Sequence, residues 1–241
     1  MVLIVLDEFP GASLVKPDGS FQKERFPNLN SLKNQSSYYP YHSAASNFTL
    51  RALPAILSGI VEREVLLKET LFNDFKKIKY RSSISEPFPQ FSHFCPGCIQ
   101  AKPYSYLAGT KADNKRDMML ASAINDLKTI KAGRFSVIHA LYPHIPYDRF
   151  PSGKKYTDQE FFFGVPSGFD FLDPASNNDN QIKTVMAEQR FLMQAQFTDK
   201  IVGSVIKNLK LSGNWDQTTL IITADHGGAF TANTGRRTVK N

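Results

Sequence analysis

Three short apolar runs constrain the fold of this chain more than any other feature. Val2 to Leu6 (VLIVL), Phe135 to Leu141 (FSVIHAL) and Thr219 to Thr223 (TLIIT) are too short for helices and rich in β-branched residues. Continuous apolar strands of this sort belong in a sheet covered on both faces, the parallel kind. Val2 to Leu6 runs into Asp7-Glu8-Phe9-Pro10, and the Thr219 strand ends in Asp225-His226-Gly227-Gly228. If those two strands are parallel neighbours, Asp7 and Asp225 converge on the carboxyl edge, where open α/β sheets bind ligands. Plainer readings stand beside this one: Asp7 as a helix cap or turn former, and Asp225 as the cap of a glycine turn.

The segments between the runs alternate with them. Pro27 to Gln35 can start a helix with Pro at its first position, Tyr38 to His42 reads as a short strand, and Glu69 to Lys77 as a short amphipathic helix. Tyr80 to Ile84 is a possible strand. Asp113 to Lys131 carries Met118, Met119, Ala121, Ile124, Leu127 and Ile130 at helical spacing, and Gln181 to Leu211 reads as a long helix, broken at most once. His139 lies inside its strand and reads as a core histidine with its polar atoms satisfied. Ser85 to Lys111, rich in Pro, Phe and Tyr, reads as an irregular excursion from the core, and Arg149 to Asn180 as a long substrate-side loop. The alternation predicts an α/β fold: a mostly parallel central sheet with helices on both faces, built as one domain over residues 1–241.

The chain has 241 residues, 41% of them hydrophobic, enough for a sizeable core. No apolar run approaches the ~20 residues that cross a bilayer. Lys and Arg exceed Asp and Glu by 29 to 22, a formal charge of +7, which favours anionic partners such as phosphorylated substrates or acidic lipid headgroups. The basic residues are scattered rather than striped and no nucleic-acid motif accompanies them, so no nucleic-acid partner is expected. Cys95 and Cys98, in the segment HFCPGC, are the only cysteines. A local disulfide, half a zinc site with His93 and a redox pair compete there; without a second Cys/His pair, a loop-stapling disulfide or two idle thiols is the expectation.

Two further residues stand out. Thr49 precedes an apolar helix that starts either just after it or at Pro54, the second being geometrically easier because Pro inside a helix forfeits a hydrogen bond. Either way Thr49 lies at or near a helix amino end, where backbone N–H groups and the helix dipole suit a phosphoryl group; a plain N-cap threonine is the alternative. His144 follows the Phe135 strand, held between Pro143 and Pro146, and is placed to act as a general acid or phosphate ligand unless it is an ordinary loop histidine.

Four stretches, VLIVLDE (2–8), FTLRALPAILSG (48–59), HALYPHIPY (139–147) and DKIVGSVIKNLKLSGNWDQTTLIITADHG (199–227), resemble the alkaline phosphatase/sulfatase superfamily. Within it they are similar to the bacterial sulfatase-like phosphotransferases, such as lipoteichoic acid synthases and phosphoethanolamine transferases. The resemblance implies an alkaline phosphatase-like catalytic domain with Asp7, Asp225 and His226 as metal ligands, Glu8 as a further acidic ligand, and Thr49 as nucleophile and ligand. His144 matches a histidine near the transferred or leaving group, Arg51 can touch the anionic group, and Asp199 has a structural role. The implied cofactor is a divalent cation, Zn²⁺ or Mn²⁺, with Ca²⁺ or Mg²⁺ as alternatives. The implied substrate is a phosphorylated or sulfated small molecule, lipid or glycan of the cell envelope, reached on the outer side of the cytoplasmic membrane. The family has more chain after its Asp-His pair, so closing strands beyond Asn241 and a membrane anchor outside the given sequence are expected. Thr49 departs from the Cys or Ser that dedicated sulfatases oxidise to formylglycine, which favours phosphoryl transfer over a sulfatase; a non-catalytic metal- or glycan-binding relative is the remaining alternative.

Overall fold

The structure is a computed structural model and describes residues 1–61, 69–87, 91, 94–95, 98–100, 110–156 and 181–231. β1 (Val2–Asp7), β2 (Arg81–Ser85), β3 (Ile99–Gln100), β4 (Arg134–Pro143) and β5 (Leu220–Ala224) form a five-stranded sheet in the order β3-β2-β4-β1-β5. β1 pairs parallel with β5, and β2 pairs parallel with both β3 and β4. The fold is thus the α/β class with a parallel sheet that the apolar runs predict. Every residue of β1 is buried. Leu3 and Val5 join the main core cluster, while Val2, Ile4 and Leu6 point by alternation to the opposite face and are equally enclosed, as a sheet covered on both faces requires.

The chain resolves into two compact units. One comprises Met1–Asp7, Ala44–Leu141 and Ser204–Asp225; the other comprises Glu8–Ser43, Tyr142–Gly203 and His226–Asn241. In the first unit the core cluster joins Leu3 and Val5 of β1, Ile84 of β2 and Phe135 and Val137 of β4 to Leu53 and Leu57 of α2 (Thr49–Ser58) and Phe72 of α3 (Leu71–Lys77). Phe135 stacks on Phe75 at 4.2 Å between ring centres and meets Phe72 at 5.3 Å. Phe91, Phe94 and Cys95 also enter this cluster. Within the excursion read from Ser85 to Lys111, these described residues thus enter the core rather than leave it, and Cys95 and Cys98 form a disulfide. α4 (Thr110–Asp126) ends against α5 (Gln181–Leu211), where the Asn208 side chain donates to the Ile124 carbonyl at 2.8 Å.

Two local expectations change. Tyr38 to His42 forms no strand: Pro40 removes a donor, and Tyr39 and Tyr41 lie 75% and 95% exposed, with no apolar face to bury. α2 begins at Thr49 and carries Pro54 inside it. The forfeited bond is offset by the buried stripe of Ala52, Leu53, Ala55 and Leu57, and Gly59 closes the helix at φ 75° with its N–H on the Ala55 carbonyl.

The second unit is ordered by polar residues on the inner stripe of α5, an unbroken helix. Asp199 accepts hydrogen bonds from the Asn28 and Leu29 N–H groups and from the Asn28 side chain, at 3.1, 2.8 and 2.7 Å. It thereby caps the amino end of α1 (Pro27–Lys33), whose own N-cap residue is Phe26 and supplies no side-chain bond. One helical turn later Gly203 leaves room for Asn28, whose Oδ1 lies 2.5 Å from where a Cβ would sit. Asp199→Ala is expected to cost roughly 1–3 kcal/mol by leaving buried donors unpaired, and Gly203→Ala roughly 1 kcal/mol by displacing Asn28. Both act through Asn28, so the double variant should lose less than the two single losses added together; urea unfolding midpoints check this.

Candidate active site

The sheet register assembles the site. Val2 to Leu6 pair with Leu220 to Ala224 residue for residue, and the Asp225 N–H donates to the Leu6 carbonyl at 3.2 Å. One step further along both strands stand Asp7 and Asp225. The β2–β4 register runs from Arg81 opposite Arg134 to Ser85 opposite Ile138, and the next residue on each side is Glu86 and His139. Partners in a parallel register lean to the same face, so four strands in the order β2-β4-β1-β5 deliver Glu86, His139, Asp7 and Asp225 in a row.

The side chains bear this out. His139 Nδ1 lies 3.0 Å from both Glu86 carboxylate oxygens, and its Nε2 is 3.7 Å from Asp7 Oδ2. Asp7, His139 and Asp225 each present a ligand atom within 4.8 Å of the others, and all three are buried. A carboxylate can only accept from a neutral or cationic imidazole, so Nδ1 carries a proton and Nε2 faces the aspartates. Burial pulls the His139 pKa down, but the charge and hydrogen bond of Glu86, with the charges of Asp7 and Asp225, outweigh it and push the value up to about 9. The donor set fits a divalent cation: two buried carboxylates and one imidazole whose far nitrogen is held by a carboxylate, the arrangement that orients metal-binding histidines. Proton and cation are alternative ways to balance these acids.

Of the residues singled out in the sequence, the structure brings Asp7 and Asp225 together. Thr49 is buried at the first position of α2, and the N-cap is Phe48, whose carbonyl accepts from Arg51 and Ala52, so Thr49 is not the capping residue. Arg51 is exposed two positions further on. Glu8 and His226 belong to the second unit, each next in the chain to an aspartate of the buried cluster. Glu8 is buried and adopts φ 63°, a left-handed conformation uncommon outside glycine, costing about 1 kcal/mol or more. Its Oε2 lies 3.7 Å from His144 Nε2, and a Cβ on Gly228 would touch its carboxylate at 3.5 Å. His144 and His226 each direct Nδ1 at a backbone carbonyl, Ile145 at 2.8 Å and Gly227 at 3.0 Å, so in both the proton sits on Nδ1.

Sequence reasoning missed two of these groups. His139 is indeed a buried core histidine held by an acid, but its other face belongs to the aspartate cluster. Glu86 sits two residues past Ile84, where its strand was expected to end, and directly after the Ser85 end that the structure shows. Glu86 shares the signal that marked Asp7 and Asp225, an ionisable residue at the carboxyl end of a core strand, whereas His139 lies inside β4 and does not.

The sequence profile of the sulfatase family matches residues 1–240. The chain belongs to the sulfatase family. Solved structures agree on the fold. A Bacteroides thetaiotaomicron protein described as a candidate sulfatase superposes with a TM-score of 0.72 at 15% identity, covering 100% of this chain and 61% of that one. The C-terminal periplasmic domain of EptC from Escherichia coli, in complex with Zn, gives 0.63 at 15% identity, covering 95% and 64%. The lipoteichoic acid synthase LtaP of Listeria monocytogenes gives 0.58 at 15% identity, covering 94% and 56%. The chain thus spans about three fifths of the length of these family structures. Among curated proteins none matches the sequence significantly. No helix among the described residues is long and apolar enough to cross a membrane.

The raised His139 pKa gives a signed expectation for metal-stripped protein. The folded state holds a proton that the unfolded state releases above its ordinary value of 6.5, so the stabilisation is complete below pH 6.5 and is lost as pH rises through about 9. Unfolding midpoints in chelator should therefore fall across that window, and Glu86→Gln should flatten the fall. A profile unchanged by Glu86→Gln would remove Glu86 as the partner of that proton.

Proposed function

We propose that this chain is the catalytic part of a metal-dependent phosphoryl or phosphodiester transferase or hydrolase that works through a covalent phosphothreonine on Thr49. The observation that carries the proposal is the buried group of Asp7 and Asp225, at the carboxyl ends of β1 and β5, with His139 of the neighbouring β4, in the same unit as the helix that begins at Thr49. Asp7 and Asp225 would hold the cation, with His139 Nε2 facing it and with Glu8, His226 and the Thr49 hydroxyl as further ligands carried over from the family. Carboxylate and imidazole together suit Zn²⁺ or Mn²⁺, and EptC, a family structure of the same fold, was crystallised with Zn. Such an ion neutralises charge on the group in transfer and makes a nearby hydroxyl more acidic.

The chain's own residues then divide the work. The Thr49 hydroxyl gives up its proton to solvent water and its oxygen attacks phosphorus in line, forming one P–O bond as the bond to the leaving oxygen breaks. His144, its Nδ1 proton committed to the Ile145 carbonyl, presents Nε2 to supply a proton to that leaving oxygen, and Glu8 supports the protonated ring. Arg51, exposed two residues past the nucleophile, meets the anionic oxygens. Water or a hydroxyl acceptor releases the phosphoryl group from Thr49. Threonine cannot yield formylglycine, which supports phosphorus over sulfate as the reacting centre. The net charge of +7 suits an anionic lipid- or glycan-linked substrate, and LtaP of the same fold is a lipoteichoic acid synthase. The Cys95–Cys98 disulfide suits a cell-envelope location outside the reducing cytoplasm.

Thr49→Ala should lower phosphodiester turnover by roughly 10³-fold or more while bound zinc, measured by elemental analysis, stays at the wild-type level. Asp225→Asn should lose both. Full activity in Thr49→Ala would sink the nucleophile. Preferential cleavage of an aryl sulfate would favour a sulfatase, and a wild-type chain that takes up no metal when Zn²⁺ or Mn²⁺ is supplied would favour a non-catalytic binding relative.

A further inference from the structure

We propose that Gln194 is the positioning residue for His144: through its side-chain amide it fixes the loop that follows β4 and so aims the imidazole. The inference rests on the role proposed for His144, and its geometry lies wholly within the second unit. After Pro143 the chain leaves the sheet without entering a helix over the described residues that follow, yet His144, Ile145, Tyr147 and Asp148 are all buried. Buried backbone without secondary structure needs partners from elsewhere. Gln194, fully buried on α5, supplies them. Its Nε2 donates to the Pro143 carbonyl at 3.0 Å and to the His144 carbonyl at 2.7 Å, and its Oε1 accepts from the Asp148 N–H at 3.0 Å. Three of the four hydrogen bonds a carboxamide can make thus go to one loop, on both sides of the histidine.

The rest of that helix face holds the loop's two ends. One turn either side of Gln194, Phe197 meets Tyr142 edge-on at 5.2 Å and Phe191 meets Tyr147 edge-on at 5.6 Å. Aromatic, amide and aromatic groups on one stripe of a rigid helix therefore grip the loop at its start, middle and end. His144 is left with one ring nitrogen on the Ile145 carbonyl and the other toward Glu8. Only a carboxamide suits the central place. A glutamate there would turn an oxygen toward two carbonyl oxygens, and a leucine would leave two carbonyls and one N–H buried without Gln194. Gln196, two residues on, donates to the Leu192 carbonyl of its own helix and serves as a control.

The test is a double-mutant cycle with a spectroscopic arm. Gln194→Leu and Gln194→Glu should lower kcat by roughly 10- to 100-fold with KM nearly unchanged. The loss should be larger for an alkyl phosphodiester than for a nitrophenyl one, because only the poor leaving group depends on a well-aimed proton donor. In the His144→Ala background the same substitutions should lower kcat no further, whereas a purely structural role would reduce both backgrounds alike. In long-range ¹H–¹⁵N spectra the His144 ring, assigned by its absence in His144→Ala, should show the Nδ1–H tautomer in wild type and in Gln196→Leu and lose it in Gln194→Leu. Where Gln194→Leu does not fold, the volume-matched Gln194→Glu carries the same comparison. An unchanged His144 tautomer, or equal losses with and without His144, would overturn the proposal. A wild-type chain inactive on every ester would overturn the catalytic reading instead, and the tautomer would still decide whether Gln194 aims the ring.

Discussion

Parallel strand register is the constraint on which the site depends. Two strand pairs, β1 with β5 and β2 with β4, each run in step for five residues, and the residue that follows the paired run is ionisable in all four segments of the row, His139 being still within β4. Because β4 and β1 are neighbours, these four residues form a continuous row: Glu86, His139, Asp7, Asp225. A slip of one residue in either register would turn an acid to the other face and break the row. The apolar residues that lock the register, Leu3, Val5, Ile84, Phe135 and Val137, are all members of one core cluster. Core packing thus determines which charged groups meet, although none of the packed residues takes part in chemistry.

A second constraint operates on α5, where polar residues on the inner stripe serve backbone rather than substrate. Asp199 caps α1, Gln194 holds the loop after β4, and Gly203 makes room for Asn28. Helices usually meet their neighbours through apolar ridges. Here a helix also meets irregular segments, whose unpaired N–H and C=O groups need hydrogen bonds that strand or helix neighbours do not supply. Aromatic residues beside the polar ones, Phe191 and Phe197, contribute the dispersion and area that hold those segments close.

How much of this was legible in the sequence depends on the kind of signal. The strands and the long helix were readable because burial imposes a period, and Asp7 and Asp225 because an acid after an apolar run is conspicuous. His139 was legible as buried but not as part of the cluster, since a histidine inside an apolar strand looks the same whichever way its second nitrogen points. Glu86 follows Arg81–Ser85, a strand with too few apolar residues to mark its end clearly. Pro54 misled because the local cost of a helix-interior proline is visible in the sequence while the tertiary burial that offsets it is not. Gln194 carried no signal at all: a glutamine on a helix reads as surface unless the partner loop is known.

The cluster also has to be foldable before any cation arrives. Three buried carboxylates beside one imidazole form an arrangement whose like charges repel, and unit charges ~4 Å apart interact by about 4 kcal/mol at an effective dielectric of 20. A protonated His139, lying between Glu86 and Asp7, offsets part of that repulsion from within the row. A divalent cation in the same place would bring two positive charges instead of one, and would need the Nε2 lone pair that the proton occupies. A cation held by this cluster would compete with the proton for the same nitrogen, so its affinity would fall with acidity more steeply than two aspartates alone would require. Glu86 works in both states: it steadies the imidazolium when the proton is present, and holds the neutral ring by Nδ1 with Nε2 toward the aspartates when the cation replaces it.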